Sequence, residues 1–362
     1  MSTQAASGAK KPSEFVLSLR RKFFASPTQG LISLIGLWLF GYALMFILEW
    51  GVIDAVWTSP DNTAASCHHI DGACWAVINV RWRLILFGLF PYEEQWRSTM
   101  ACLAVTVVVV MSCFPYFWTA KRLSLLWIVG FAIFYILMRG DFWGLTSVRP
   151  GEWGGLTLTV FVYVAVVLIG MPTAIAFALM RRSKLPVISA TMAIIIDGVR
   201  SLPLITILFT AAVILPFALP DWMQGDKIWR VIVGFSLFFA AYQAEIIRSG
   251  IQAIPPGQEE AAKALGLSYW QRTGQIVLPQ AFRNALPPTI NQLVITFKET
   301  SLIVIIGFFD IMASGNAAYG SGEWSFAYVE VYVFVALIYY IFVFSLSRYG
   351  VFLEHRMRVG LH

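Results

Sequence analysis

The chain has 362 residues, is 58% hydrophobic and 13% charged, and carries a formal net charge of +6. With a mean hydropathy of +0.72, it is excluded from the ordinary water-soluble globular class and reads as an integral membrane protein. The positive charge follows from membrane topology, and no nucleic-acid partner is needed to explain it.

Residues 1–30 form a polar, basic stretch rich in Ser, Ala and Lys, expected to be a cytoplasmic surface tail. A span needs roughly 20 mostly apolar residues. Candidate runs lie at about 31–53, 98–119, 123–139, 156–180, 187–219, 228–247, 284–309 and 326–347. The first is too long for a signal-peptide core and lacks a small-residue cleavage site at Glu49-Trp50, so it is expected to remain as a span. The fifth run carries Asp197 and Arg200 and reads as a helix leading through Ser201-Leu202-Pro203 into the span proper. The expected architecture is all-α and polytopic, with about eight transmembrane helices: a three-span extension over 31–150, with an outside loop at 54–97, then a five-span core over 151–350 and a tail over 351–362. No internal repeat is visible, which argues against transporter folds made of inverted halves.

Basic residues near spans are retained in the cytoplasm. With the N-terminus inside, 17 of the 26 Lys and Arg fall on inside segments, seven fall outside, and Arg200 and Lys298 remain at membrane depth. Both termini and the 248–283 loop are therefore expected in the cytoplasm. Cys67 and Cys74 share the outside loop, where an oxidising compartment would let them form a disulfide. His68 and His69 adjoin them, yet the spacing fits no common zinc pattern. Cys102 and Cys113 read as small apolar residues within a span.

The 248–283 loop holds the most shaped polar surface. Pro255-Pro256-Gly257 turns the chain. Gln258-Glu259-Glu260 then places carboxylates at the positive end of a new helix dipole, Ala261, Ala262, Ala264 and Leu265 extend it, and Gly266 suits a left-handed cap. Ser268-Tyr269-Trp270-Gln271 is a capping-box pattern for a second helix, expected to end at Ile276-Val277-Leu278-Pro279. Two carboxylates pointing from such a knuckle disfavour anionic lipid and favour a protein partner.

These residues carry a resemblance. Glu260-Ala261-Ala262 with Gly266 and Ile276-Val277-Leu278-Pro279 resembles the EAA loop of ABC-importer permease subunits. Gly154-Gly155-Leu156-Thr157-Leu158-Thr159, Ala241-Tyr242-Gln243-Ala244-Glu245-Ile246-Ile247-Arg248 and Phe297-Lys298-Glu299-Thr300-Ser301-Leu302 resemble the polar amino acid branch, and the long N-terminal block is similar to that of general L-amino acid and glutamate/glutamine-type permeases. The resemblance implies a bacterial inner-membrane subunit that imports polar L-amino acids. Its partners would be a separate cytoplasmic ATPase, a second and paralogous permease chain, and a periplasmic solute-binding protein docked near 140–155, 216–228 and 306–325. No G-x-x-x-x-G-K-[ST] motif occurs, so ATP would be bound by the partner and the chain needs no cofactor of its own. One departure from the family is Val199-Arg200-Ser201-Leu202-Pro203-Leu204, where Ser201 and Leu202 replace a small-plus-hydroxyl pair.

Glu260, Ala261, Ala262 and Gly266 are the expected ATPase-coupling residues. Ionisable groups at membrane depth are functional candidates, so Lys298, Glu299, Thr300, Ser301, Glu245 and Arg200 are candidates for a substrate path. Structural alternatives stand beside them: Lys298 bracing the bundle, an Asp197–Arg200 ion pair one turn apart, and Glu245 bracing Arg248 at the end of the sixth span. Gly170 with Pro172 marks an expected kink. Neither catalytic carboxylates nor a nucleophile–base pair is evident. The rival readings are an ion-coupled secondary transporter or channel, in which the knuckle is a mere connector, and a membrane-bound enzyme.

Overall fold

The computed structural model describes residues 22–68, 70–141, 144–320 and 322–359, with side chains to 356. The basic tail over 1–21, His69 and His362 lie outside the described residues. The longer helices, numbered here in chain order, are α1 Pro27–Leu48, α2 Ala76–Phe87, α3 Gln95–Ser112, α4 Ala120–Arg139, α5 Gly155–Arg181, α6 Pro186–Ser201, α7 Leu204–Phe209, α8 Lys227–Gln252, α9 Pro256–Ala264, α10 Leu278–Glu299, α11 Ile311–Gly320 and α12 Tyr328–Val359. Among the described residues, seven helical runs are long and apolar enough to cross a membrane, and the bent pair Pro186–Ser201 and Leu204–Ala218 brings the number to as many as eight. The bend is 103°. It falls at Leu202-Pro203, as the fifth run implies, because the residue before a proline is driven out of helical geometry.

The chain divides into two compact units, 1–79 and 80–362. In the first, α1 begins at an N-cap Ser26 with Pro27 at its first position and is apolar all round. The chain after it folds back on itself: Val56 N–H donates to Ala73 O at 2.8 Å, Ala73 N–H to Trp50 O at 2.7 Å, and Trp75 Nε1 to Gly51 O at 2.8 Å. Cys67 and Cys74 form a disulfide with Cα atoms 5.8 Å apart.

The second unit is a helical bundle in which α3 and α4 pack with the later helices. The reason is aromatic: Phe131 and Phe134 of α4 stack on Phe161 of α5 at 5.3 and 5.7 Å, and Trp153 meets the same ring edge-on at 4.9 Å. Helix α5 runs unbroken through Pro172 to Arg181. Gly170 serves there as a close-approach point, since a Cβ would sit 2.5 Å from Phe239 Cδ1 and 3.2 Å from Ser236 O of α8. Two further boundaries differ from those the sequence suggests. Helix α8 continues past Glu245 to Gln252, and α12 continues past 350 to Val359.

The second knuckle helix does not end at Pro279. Tyr269–Ile306 is one helical run of 38 residues, with a π-helical segment at Arg272–Val277 leading into α10. A proline ring ordinarily collides with the carbonyl four residues back. The wider π turn immediately before Pro279 lets the chain continue instead.

Candidate functional site: the knuckle and the helix ends beneath it

The 248–283 segment folds into the knuckle its residues dictate. Pro256 occupies the first position of α9, where its missing N–H costs nothing. At the far end Leu267 N–H reaches Ala262 O at 3.2 Å and Gly266 N–H reaches Lys263 O at 2.9 Å, a Schellman cap. Gly266 has φ +77°, a conformation that penalises any residue with a Cβ. Ser268 then opens the next helix with both halves of a capping box: its N–H donates to Gln271 Oε1 at 2.9 Å, and Gln271 N–H donates back to Ser268 Oγ at 3.4 Å.

This knuckle is apolar and open at its tip. Leu265 is 81% exposed, Trp270 75% and Tyr269 47%. Such large side chains are costly in water and mark an interaction surface. Ala262 is buried, while Glu260, Ala261 and Gly266 are exposed. The two carboxylates differ. Glu259 lies in the first turn of α9 and folds back to pair with Arg182 at the end of α5, whereas Glu260 is exposed at the rim of the cavity beside it. The Arg182 hydrogen bond, opposed by partial burial, holds the Glu259 carboxyl below the usual carboxylate range. A cavity of about 410 Å³ lies between α9 and the bundle, lined by Arg182, Ile251, Glu259, Glu260, Lys263 and Val277 among others.

Beside it, charges gather at the ends of three helices. Arg181 of α5 forks onto Asp197 of α6, with Nη1–Oδ1 2.9 Å and Nη2–Oδ2 3.0 Å, and also reaches Glu245 of α8 at 3.1 Å. Glu245 binds Arg248 one turn on, at 2.6 Å. Arg200 lies 3.8 Å from Asp197 and over the Tyr242 ring at 5.3 Å. The expected Asp197–Arg200 pair is thus the long, minor contact. Arg181 takes the carboxylate because a guanidinium fork across two helices matches both oxygens at once.

The expected substrate-path residues fall in two groups, and no hydrogen bond or ion pair joins them among the described residues. Glu245 and Arg200 belong to the charge cluster. Lys298, Glu299, Thr300 and Ser301 sit where α10 passes into a 3₁₀ segment, Thr300–Ile306. There both hydroxyls turn back on their own helix, Thr300 Oγ1 to Phe297 O at 2.7 Å and Ser301 Oγ to Lys298 O at 2.9 Å. Lys298 is exposed, and Glu299 Oε2 is buried without a partner. A more continuous polar seam lies lower on α10: Gln243 Nε2 donates to Thr289 Oγ1 at 2.8 Å, with Gln292 and Thr296 buried beside it in sequence.

Residues 170–359 match the model of a binding-protein-dependent transport system inner membrane component. The chain is 38% identical to the inner membrane amino-acid ABC transporter permease protein YhdY of Escherichia coli strain K12, over 94% of this chain and 93% of that one. It belongs to that family. This permease is also 31% identical to the glutamate/glutamine/aspartate/asparagine transport system permease protein BztC of Rhodobacter capsulatus, again over 94% and 93% of the two chains. A solved structure described as an amino acid ABC transporter with histidines is 28% identical and covers 56% of this permease and 92% of that chain, with a TM-score of 0.49. The permease is therefore a multi-pass inner-membrane transport component, of a class that works with an ATPase and a solute-binding protein.

At the other end of the permease's second unit, contacts are tighter. Gly155, at φ +60°, donates its N–H to Phe309 O at 2.8 Å, and a Cβ there would lie 2.2 Å from Leu86 O. Ile311 N–H donates to Thr159 Oγ1 at 3.2 Å. Asp310, fully buried in the short loop before α11, accepts from Ala313 N–H at 2.9 Å through Oδ1, while Oδ2 has no partner. Burial pushes its carboxyl up to about 7, against the pull of its backbone hydrogen bonds. Arg97, also fully buried, binds Leu137 O and Thr146 O, both at 2.8 Å, and Glu94 at 3.2 Å. Sequence reasoning treats Arg97, Arg181 and Arg182 as topology markers only. Apart from the Glu94–Arg97 pair one turn apart, their hydrogen-bond partners lie 40–49, 16 and 77 residues away, and no local pattern announces such pairs.

Proposed function

We propose that this chain is the permease subunit of an ATP-driven importer of polar L-amino acids, with the knuckle on the cytoplasmic face seated in a separate ATPase. Both termini lie on that face, as the Lys/Arg distribution indicates. A paralogous second permease chain completes the path, and a periplasmic binding protein delivers the cargo. The observation that carries the reading is similarity across nearly the whole chain to amino-acid permeases, joined to a knuckle whose Leu265 and Trp270 are left bare. Glu260 offers the partner a free carboxylate for a charge-assisted contact, and Gly266 gives the knuckle its turn.

The test is purification of the tagged chain from its native membrane, followed by uptake of labelled amino acids in vesicles. The wild type brings down an ATPase chain and shows ATP-dependent uptake. Glu260→Arg and Gly266→Asp insert normally but lose the ATPase and at least about tenfold of the uptake, about 1.4 kcal/mol of coupling or more. Uptake that persists in both variants on an ion gradient alone would refute the proposal.

A further inference from the structure

The two arginines that close α5 are consecutive, and they face different structures. Arg182 holds Glu259 of the knuckle. Arg181 holds Asp197 of α6 and Glu245 of α8, and Glu245 passes the chain of contacts on to Arg248. The backbone carbonyl of Arg181 also accepts Ser189 Oγ at 2.7 Å, pinning the start of α6 to the same turn. Elsewhere α9 stands off from the helix ends across the 410 Å³ cavity. Among the described residues, the Arg182–Glu259 pair ties α9 to the end of α5, and a long Gln280–Gln258 contact of 3.5 Å ties it to α10.

We infer that Arg181 and Arg182 are positioning residues for transport: together they form an ionic relay through which displacement of the knuckle moves the ends of α6 and α8. The inference rests on the proposed docking of the knuckle to an ATPase and assigns a route for the resulting motion. The chemistry suits a relay better than a clamp. Side-chain exposure ranges from 14% at Glu245 and 19% at Arg181 to 41% at Arg182 and 54% at Asp197, so the outer contacts of Arg182, Asp197 and Arg200 exchange most readily while Arg181 and Glu245 stay anchored. Asp197 and Glu245 share three guanidinium groups, Arg181, Arg200 and Arg248. Such a set has more than one near-equivalent pairing, the two-arrangement element that energetic coupling between sites requires. Helix α6 is the natural receiver, because Asp197 lies near its end and that end meets the 103° break at Leu202-Pro203.

The experiment uses the complete importer purified in lipid nanodiscs, with hydrogen–deuterium exchange of residues 186–201 measured before and after trapping with ATP and vanadate. The wild type shows an ATP-driven change in exchange over this helix. Arg182→Gln and Glu259→Gln retain the ATPase chain and its basal hydrolysis, yet reduce that change at least about fivefold. The charge swap Arg182→Glu with Glu259→Arg restores at least half of it, a rescue that a merely structural role would not produce. Arg181→Gln also abolishes the change and is not rescued by Glu259→Arg. A full response in Arg182→Gln, or a swap that rescues nothing while the ATPase stays bound, overturns the relay and leaves the docking reading standing. A wild-type preparation that holds no ATPase overturns both.

Discussion

The two ends of the 80–362 unit are built on different principles. At the knuckle end, ion pairs ring a cavity above a tight apolar seam, in which a Cβ on Gly250 of α8 would lie 2.4 Å from Ala281 O of α10. At the other end elements meet backbone to backbone: Gly155 against Leu86 and Phe309, the buried Arg97 guanidinium on two carbonyls, and Asp310 sealed beneath α11. The more exposed ion pairs are weak and exchangeable. The contacts at the other end leave no room to move without a steric or desolvation penalty.

The sharpest way to break this contrast is Gly155→Ala. A Cβ 2.2 Å from a carbonyl oxygen, on a residue with positive φ, has no relaxed position. The expected loss is about 3 kcal/mol or more, read as failure to recover monodisperse protein in detergent. A well-behaved variant with an unchanged melting temperature would show that this end is as yielding as the knuckle. Next comes Arg97→Met, which keeps apolar bulk but strands the Leu137 and Thr146 carbonyls. It is expected to cost about 3 kcal/mol and to loosen the 140–148 segment in hydrogen exchange.

Asp310→Asn probes the same end through pH. A carboxyl whose folded pKa is raised to about 7 contributes stability that is complete below its ordinary value of about 4 and is lost as pH rises through 7. The wild-type melting temperature should fall across that window, and the asparagine variant, which retains the acceptor for Ala313 N–H, should show a flatter profile. Identical slopes would remove Asp310 from the account. The smallest effect is expected at the knuckle. Glu259→Gln should cost about 0–1 kcal/mol. Because its folded pKa is depressed, that contribution is present above the ordinary carboxylate value, vanishes as pH falls through the depressed one, and is weakened by salt.

What was legible in the sequence was local. Gly266, the Ser268–Gln271 box and the break at Leu202-Pro203 each depend on residues within one turn of each other, so they could be read directly. Pro279 shows the limit of a correct local rule. The proline does obstruct an α-helix, but a π turn just before it removes the obstruction, and nothing in Arg272–Val277 signals that choice. The arginine contacts were illegible for a different reason. Arg181 and Arg182 are adjacent and chemically identical, yet one pairs 16 residues away and the other 77. Only the packing of α5 against α6 and α8 separates their fates. Thr300 and Ser301 each donate to a preceding carbonyl of their own helix, a back-bond that spacing does not reveal and that leaves each hydroxyl its acceptor lone pairs.

The unbroken run from Tyr269 to Ile306 turns the knuckle's second half into one arm of a lever. At 1.5 Å per residue, 38 residues reach roughly 57 Å, nearly twice the hydrocarbon thickness of a bilayer. Trp270 sits at one tip of this arm and the 3₁₀ segment at the other, so a tilt of about 5° about its middle would carry each tip roughly 2.5 Å. Two softer joints lie along it, the π segment within the first turns and the Pro287-Pro288 pair near the middle. A push on Trp270 thus meets compliance first close to where it is applied and again halfway along, as a wrist precedes an elbow.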